Sequence, residues 1–118
     1  MFLVTGPRRV SARRIVGLPR ALMRSVGLEP PVRVALTVEP EACETIVIGA
    51  HVGGQDSTAM VSSVGQLVVP TSLMTVLNLG VERAVYLRAR EDMRVLEMMS
   101  PKQSFALAAI GLREPVNA

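Results

Sequence analysis

Apolar and polar residues alternate in two stretches of this chain, and each stretch predicts a strand. Residues 32–38 place valine or leucine at every second position, and residues 83–90 do the same with Val85, Leu87 and Ala89. A two-residue period is typical of a strand with one buried face. Short apolar runs predict four further strands, at residues 14–18, 45–48, 66–69 and 93–99.

Two short helices are predicted, and each begins at a proline. Pro19 and Pro70 suit a first helical turn, where a missing N–H has no consequence. Gly27 and Asn78 then end the two helices, because both residue types accept the left-handed backbone conformation. Helices of about two turns are not stable alone, so we expect both to pack on a sheet. The apolar face of the first helix consists of Leu22, Met23 and Val26.

The tail, residues 100–118, predicts a third helix. Ser100 and Pro101 form a cap followed by a first-turn proline, and residues 104–112 are apolar on much of the helix circumference. Such a helix is a candidate contact between copies of the chain. Packing against its own domain is the alternative.

The sequence also repeats itself after 51 residues. Residues 16–36 and 67–87 are identical at six of 21 positions, whereas composition alone predicts about one or two. The repeat predicts a pseudo-symmetric body: a unit at 1–50, a linker at 51–59, a second unit at 60–99 and the tail. The identical pairs are Pro19/Pro70, Leu22/Leu73, Met23/Met74, Leu28/Leu79, Val34/Val85 and Leu36/Leu87.

Length and composition limit the class of protein. The 118 residues make one compact domain or two half-domains that need each other, and 49% of them are hydrophobic. No apolar run reaches the roughly 18 to 20 residues of a membrane-spanning helix, and the first ten residues do not form a signal peptide. A single cysteine, Cys43, favours a reducing compartment. We therefore expect a cytoplasmic protein without a membrane partner.

Charge is distributed unevenly between the two halves. The net charge is +3, yet residues 1–38 contain seven arginines against Glu29 alone, which gives +6. Residues 39–118 contain six basic and nine acidic residues, which gives −3. Arginine offers a planar fork of donors that matches phosphate oxygens and guanine edges. The basic first half therefore favours a nucleic-acid partner, with a solvated or partner-facing surface as the alternative.

A strand that ends in proline, a two-turn helix and an alternating hairpin together resemble the AbrB/SpoVT/MazE swapped-hairpin superfamily of prokaryotic DNA-binding proteins. Its motif contains Asp, two variable residues, Gly-Arg, a hydrophobic stretch and Pro. Gly65 and Pro70 match this motif, and the helix exit is matched at Gly27 and Asn78. The resemblance covers residues 5–48 and 60–99. It implies a mainly β fold with short helices: a swapped-hairpin barrel of two tandem β-α-β-β repeats, plus the tail helix.

The sequence departs from the motif at several positions. Ser11 and Ser62 stand in place of the motif Asp, and Arg14 replaces the motif Gly in the first unit. Ile15 and Gln66 occupy the position of the motif Arg, although arginines adjoin it in the first unit. MraZ proteins carry both units in one chain, a similar plan. The spacing here is tighter and the MraZ motif is missing, so the chain is not identified as MraZ.

The resemblance implies a DNA-binding transcriptional regulator. The arginines of the first unit fall in the loop, strand start and short helix that the superfamily uses to contact duplex DNA. A half-basic barrel covers a DNA site poorly, so we expect a homodimer or a higher oligomer. The alternative is a protein-interaction module, of antitoxin or assembly type, with little or no DNA binding. The candidate DNA-binding residues are Arg8, Arg9, Arg13, Arg14, Arg20 and Arg24.

Enzyme chemistry has little support in the sequence. His51, Cys43 and Asp56 contain the side chains of a Cys-His-Asp set, but their spacing does not demand one. One cysteine and one histidine do not make a zinc site. Gly53 and Gly54 lack the Gly-Lys-Ser/Thr of a phosphate-binding loop. We therefore predict no enzymatic activity, no cofactor and no metal.

Overall fold

The computed structural model describes residues 4–38, 44–51, 53 and 57–113. The protein is mainly β, with short helices, as predicted. The first half contains β1 (Val4–Arg9), β2 (Ile15–Gly17), α1 (Arg20–Ser25), β3 (Val32–Val38) and β4 (Thr45–Ala50). The second half contains β5 (Thr58–Val61), β6 (Gln66–Val68), α2 (Thr71–Leu77), β7 (Ala84–Arg90), β8 (Val95–Met99) and α3 (Pro101–Arg113).

The predicted strands are present, but two further strands were missed. β3 occupies the predicted residues, and β2, β4, β6, β7 and β8 fall within one or two residues of their predicted bounds. β1 was missed because Gly6, Pro7 and two arginines interrupt its alternation. β5 was missed because it is only four residues long and begins at Thr58, inside the segment predicted as a linker. Each half therefore begins with two strands before its helix, rather than with the predicted one.

Other predictions concern residues that the structure does not describe. Cys43 and Asp56, named above as members of a Cys-His-Asp set, lie outside the described residues. Of the linker predicted at 51–59, residues 51, 53 and 57–59 are described.

The eight strands form one sheet in the order β1-β7-β8-β4-β3-β5-β6-β2. The sheet is nearly closed into a barrel, since its two end strands, β1 and β2, contact each other. All strand pairs are antiparallel, and β1 pairs with β7 while β5 pairs with β3. Pairing thus crosses between the two halves of the chain. The single core is aliphatic, and its fully buried members include Met23, Ile46, Ile48, Leu67, Leu77, Leu87, Leu96 and Met98.

The two short helices, α1 and α2, begin and end within a residue or two of their predicted bounds, whereas α3 is longer than the predicted 104–112. Asn78 caps α2 in the left-handed conformation, with φ of +50°, and Gly27 follows α1 with φ of +82°. The Ser100 hydroxyl accepts a hydrogen bond from the Gln103 amide at 3.1 Å, which caps α3. None of the described helices is both long and apolar enough to span a membrane.

Helix α3 lies against the outer side of β7. The Phe105 and Tyr86 rings are 6.5 Å apart between centroids and tilted by 54°. On the same strand, Arg88 forms a buried ion pair with Glu97 of β8, and its Nε donates to Glu97 Oε1 at 2.6 Å. Buried charges require such a partner because water no longer solvates them. The predicted tail helix is therefore present, and it packs on its own barrel.

Candidate nucleic-acid interface

Residues 11–14, here called the basic turn, connect β1 to β2. The Arg14 amide donates to the Ser11 carbonyl at 2.9 Å, and Arg14 adopts a left-handed φ of +65°. The Ser11 hydroxyl oxygen accepts hydrogen bonds from the amides of Arg13 at 3.2 Å and Ile15 at 3.1 Å. These bonds, with one from the Ser11 amide to the Ile15 carbonyl at 2.9 Å, close a tight turn that ends in a left-handed residue. The turn is therefore fixed, and it holds Arg13 exposed to solvent.

Residues 62–65, the neutral turn, connect β5 to β6 in the same way. The Gly65 amide donates to the Ser62 carbonyl at 2.9 Å, and Gly65 has φ of +81°. The Ser62 hydroxyl accepts a hydrogen bond from the Gln66 amide at 3.1 Å. Serine performs in both turns the side-chain-to-backbone bonding that an aspartate can also perform. The two turns therefore share their backbone design.

A backbone hydrogen bond joins each turn to the residue that follows the short strand of the other half. The basic turn is joined to the end of β6, and the neutral turn is joined to the end of β2. The Val69 amide donates to the Arg14 carbonyl, and the Leu18 amide donates to the Gly65 carbonyl, both at 2.8 Å. Between these anchors, β2 and β6 pair antiparallel over three residues each. The two turns consequently lie at opposite ends of the β2·β6 ladder.

The side chains on the two turns differ in charge. Arg13 of the basic turn corresponds in position to Val64 of the neutral turn, which is 76% exposed. Arg9, exposed on β1, corresponds to Met60 on β5, which is 50% exposed. No acidic side chain among the described residues pairs with Arg9 or Arg13. Among the described residues, the positive charges of Arg9 and Arg13 are therefore not paired with a carboxylate.

Two further guanidinium groups flank the basic turn. Arg14 Nε donates to the Val69 carbonyl at 3.0 Å, and Arg83 Nη1 donates to the Ser11 carbonyl at 3.2 Å. Each bond uses one N–H group, so each guanidinium has further N–H groups with which it can donate to a ligand. The two arginines line a shallow open groove together with Ala12, Met74, Leu79, Gly80 and Val81.

Arg83 was not among the predicted site residues. It lies in the acidic half of the sequence, 72 positions from Ser11. Pairing of β1 with β7 brings it to the basic turn, where the Val10 amide also donates to the Arg83 carbonyl at 2.8 Å. No local pattern signals this contact; only the strand pairing across the two halves does.

Arg8 lies at the seam between β1 and β2. Its backbone pairs with Val85, which is fully buried, and its Nε is buried without a hydrogen-bond partner in the described part of the chain. Its Nη1 lies 3.6 Å from the position that a Cβ on Gly17 would take. Arg8, Arg9 and Gly17 line a second shallow groove. Glycine at position 17 leaves room for the guanidinium at this seam.

Arg20 and Arg24, on α1, differ from the other candidates. Arg20 Nη2 donates to the Ser63 carbonyl at 2.9 Å, so Arg20 lies beside the neutral turn. Arg24 forms a two-point ion pair with Glu29, at 3.1 and 3.2 Å. The hydrogen bond from Arg24 lowers the pKa of Glu29, and the same bond raises the pKa of Arg24. Both side chains are mostly exposed, so the pair is weak and remains open to exchange with other anions.

The structure therefore groups the candidate residues unequally. Arg9, Arg13 and Arg14 converge on the basic turn, and Arg8 adjoins them at the seam. Arg20 is placed at the other end of the ladder, and Arg24 is already paired. The residues that the structure describes contain no group of three or more His, Cys, Asp or Glu side chains arranged to hold a metal ion.

Comparison with known proteins does not assign the chain to a family. The sequence matches no protein-family profile and has no significant match among curated proteins.

Proposed function

We propose that this protein binds duplex DNA and regulates transcription, with the basic turn and its neighbouring arginines in contact with the phosphate backbone. The observation that supports this most is a hydrogen-bonded turn that exposes Arg13 to solvent and that Arg9, Arg14 and Arg83 adjoin. Phosphate contacts of this kind supply most of the affinity of a protein for DNA. The hydrogen bonds matter because a backbone that is already ordered loses less freedom when it binds.

The proposal includes a swapped-hairpin barrel of the AbrB type, built from two units. The strand order has an internal symmetry: if the labels β1–β4 are interchanged with β5–β8, six of the seven neighbouring strand pairs map onto pairs that are present in the sheet. The seventh, β5 with β6, corresponds to β1 with β2, which touch without pairing. The matching hydrogen bonds of the two turns further support two related units. In this proposal each unit has the order β-β-α-β-β.

The same proposal gives the protein a cytoplasmic location and an assembly of two or more chains. One basic turn per barrel neutralises few phosphates. A dimer or higher oligomer places several basic turns on one duplex, and the salt dependence of binding then grows with the number of contacts.

The direct test is a titration of a labelled duplex with the full chain, followed by fluorescence anisotropy at increasing salt. We expect log affinity to fall linearly with log salt, with a slope of about −0.9 per phosphate contacted. The double variant Arg9→Ser with Arg13→Ser should reduce both affinity and slope. Lys102→Ser is the control, because it removes one positive charge from α3, outside the basic turn and the arginines that adjoin it. Absence of binding at low salt would contradict the proposal.

A protein-interaction module is the second candidate, and one observation favours it. Met60, Val64 and Val68 are 50%, 76% and 47% exposed on β5, the neutral turn and β6. Neighbouring exposed apolar side chains are typical of surfaces that bind other proteins. Under this alternative the chain fails to bind duplex, and Val64→Ser with Val68→Ser disrupts its assembly with the partner.

A further inference from the structure

The two turns differ in charge, so the two ends of the β2·β6 ladder are electrostatically different. Each arginine of the first half corresponds to an uncharged residue at the equivalent position of the second half. The pairs, separated by 51 residues, are Arg8/Ala59, Arg9/Met60, Arg13/Val64, Arg14/Gly65, Arg20/Thr71, Arg24/Thr75 and Arg33/Ala84.

The contacts of the described residues strengthen this difference at one end of the ladder. Arg83 comes from the second half of the sequence, yet it bonds to the Ser11 carbonyl and so adds a further cation to the basic turn. In the opposite sense, Arg20 is the one candidate that reaches the neutral turn, through the Ser63 carbonyl. Four arginines therefore lie in or beside the basic turn, at positions 9, 13, 14 and 83, whereas Arg20 is the candidate that lies beside the neutral turn.

The two turns are far enough apart for salt to separate their electrostatic effects. The β2·β6 ladder and its two anchors place about four residue steps between Arg14 and Gly65, which is roughly 13 Å of extended strand. The Debye length is about 8 Å at physiological ionic strength. A phosphate beside one turn is therefore largely screened from charges at the other.

We infer that the barrel binds duplex DNA in a single orientation, with the basic turn against the phosphates and the neutral turn making no electrostatic contact. The inference rests on the proposed DNA binding and goes beyond it, since a symmetric barrel would engage both turns equally. One chain then contacts a DNA segment that has no twofold symmetry. Any twofold symmetry of a whole binding site arises from the pairing of two chains.

Transplanting one charge between the turns tests the inference. Arg13→Val and Val64→Arg exchange residues at equivalent exposed tips, and the double variant keeps the net charge of the chain. We expect Arg13→Val to lower duplex affinity about threefold to fivefold and to reduce the salt slope by about one. Val64→Arg should leave the slope unchanged, and the double variant should bind like Arg13→Val alone.

A second exchange, Arg9→Met with Met60→Arg, repeats the test on the outward faces of β1 and β5. It protects the result against a local folding defect in either turn, and thermal unfolding of each variant checks that the barrel is intact. Recovery of the wild-type slope in either folded double variant overturns the single orientation while leaving DNA binding in place. If the wild-type chain shows no salt-dependent duplex binding, the proposed function fails and the orientation fails with it.

Discussion

The basic turn and the neutral turn share most of their hydrogen bonds but present different side chains. Each begins with a serine whose hydroxyl accepts backbone amides, and each ends with a left-handed residue. Their tips nevertheless carry Arg13 in one case and Val64 in the other. The shared hydrogen bonds serve the folding of the barrel, whereas the residues at the tips are open to contact with a partner. Backbone geometry is common to both turns, so it does not explain why one tip carries Arg13 and the other Val64.

The two turns also differ in how their left-handed position is filled. Gly65 has no side chain, and a Cβ added to it would lie 2.8 Å from the Leu18 carbonyl oxygen. Arg14 holds the equivalent conformation with a full side chain, helped by the bond from its Nε to the Val69 carbonyl. The basic turn therefore accepts a strained arginine where the neutral turn uses the residue that avoids the strain.

The largest expected effect follows from this difference in strain. Gly65→Ala should reduce the free energy of unfolding by about 2 to 4 kcal/mol, because it adds both a left-handed side chain and a contact with backbone. Chemical denaturation measures the change. Ser63→Ala, at the exposed tip of the same turn, is the control and should change stability by less than about 0.5 kcal/mol. Equal stability of Gly65→Ala and wild type would mean that the neutral turn is not built as described.

A matched pair of acidic substitutions separates folding from binding. Ser11→Asp and Ser62→Asp both retain an oxygen that accepts the turn amides, so their thermal midpoints should change by similar amounts. Ser11→Asp also places a negative charge among the arginines of the basic turn, and duplex affinity should fall about tenfold. Ser62→Asp should weaken binding by less than about twofold. Similar losses in the two variants would remove the distinction between the turns.

Arg83 provides a smaller effect on the basic side. Arg83→Gln removes one charge and keeps an amide that can donate to the Ser11 carbonyl, so we expect about a threefold to fivefold loss of duplex affinity. Anisotropy titration measures it. The control is Arg94→Gln, which removes an exposed charge from the turn between β7 and β8. A loss no greater than that of the control would show that Arg83 only supports the turn.

The smallest effect concerns the pair on α1. Glu29→Gln removes the carboxylate that holds Arg24, yet duplex affinity should rise by less than about twofold, because Arg20, one turn earlier on α1, lies beside the neutral turn and not beside the basic turn. The rise should disappear in the double variant Glu29→Gln with Arg24→Gln. If Glu29→Gln tightens binding equally without Arg24, the effect comes from net charge alone.

Much of the fold was predictable because its signals are local. Alternation predicted β3 and β7, and Pro19, Pro70 and Asn78 marked the helix boundaries through backbone preferences that act within a few residues. β1 escaped because a strand that contains Gly6, Pro7 and Arg8 has no apolar period. β1 is a strand because it pairs with β7, and this pairing between distant residues has no local signal in the sequence.

The candidate site was predictable in part. Clustering of arginine in the first half identified Arg9, Arg13 and Arg14, which converge on one turn. It did not identify Arg83, since that contact depends on pairing between distant strands. Nor did it separate Arg24 from the others, because the two-point bond to Glu29 depends on how the chain returns after α1.

Nuclear magnetic resonance of the isotope-labelled chain, titrated with a short duplex at low salt, tests the central claim most directly. The backbone amides of the basic turn and of its equivalent, the neutral turn, serve as internal controls for each other within one sample. We expect chemical-shift changes concentrated at residues 8–14 and at Arg83, with small changes at residues 62–65. Absence of shifts, or shifts concentrated at Met60, Val64 and Val68, would contradict DNA binding through the basic turn.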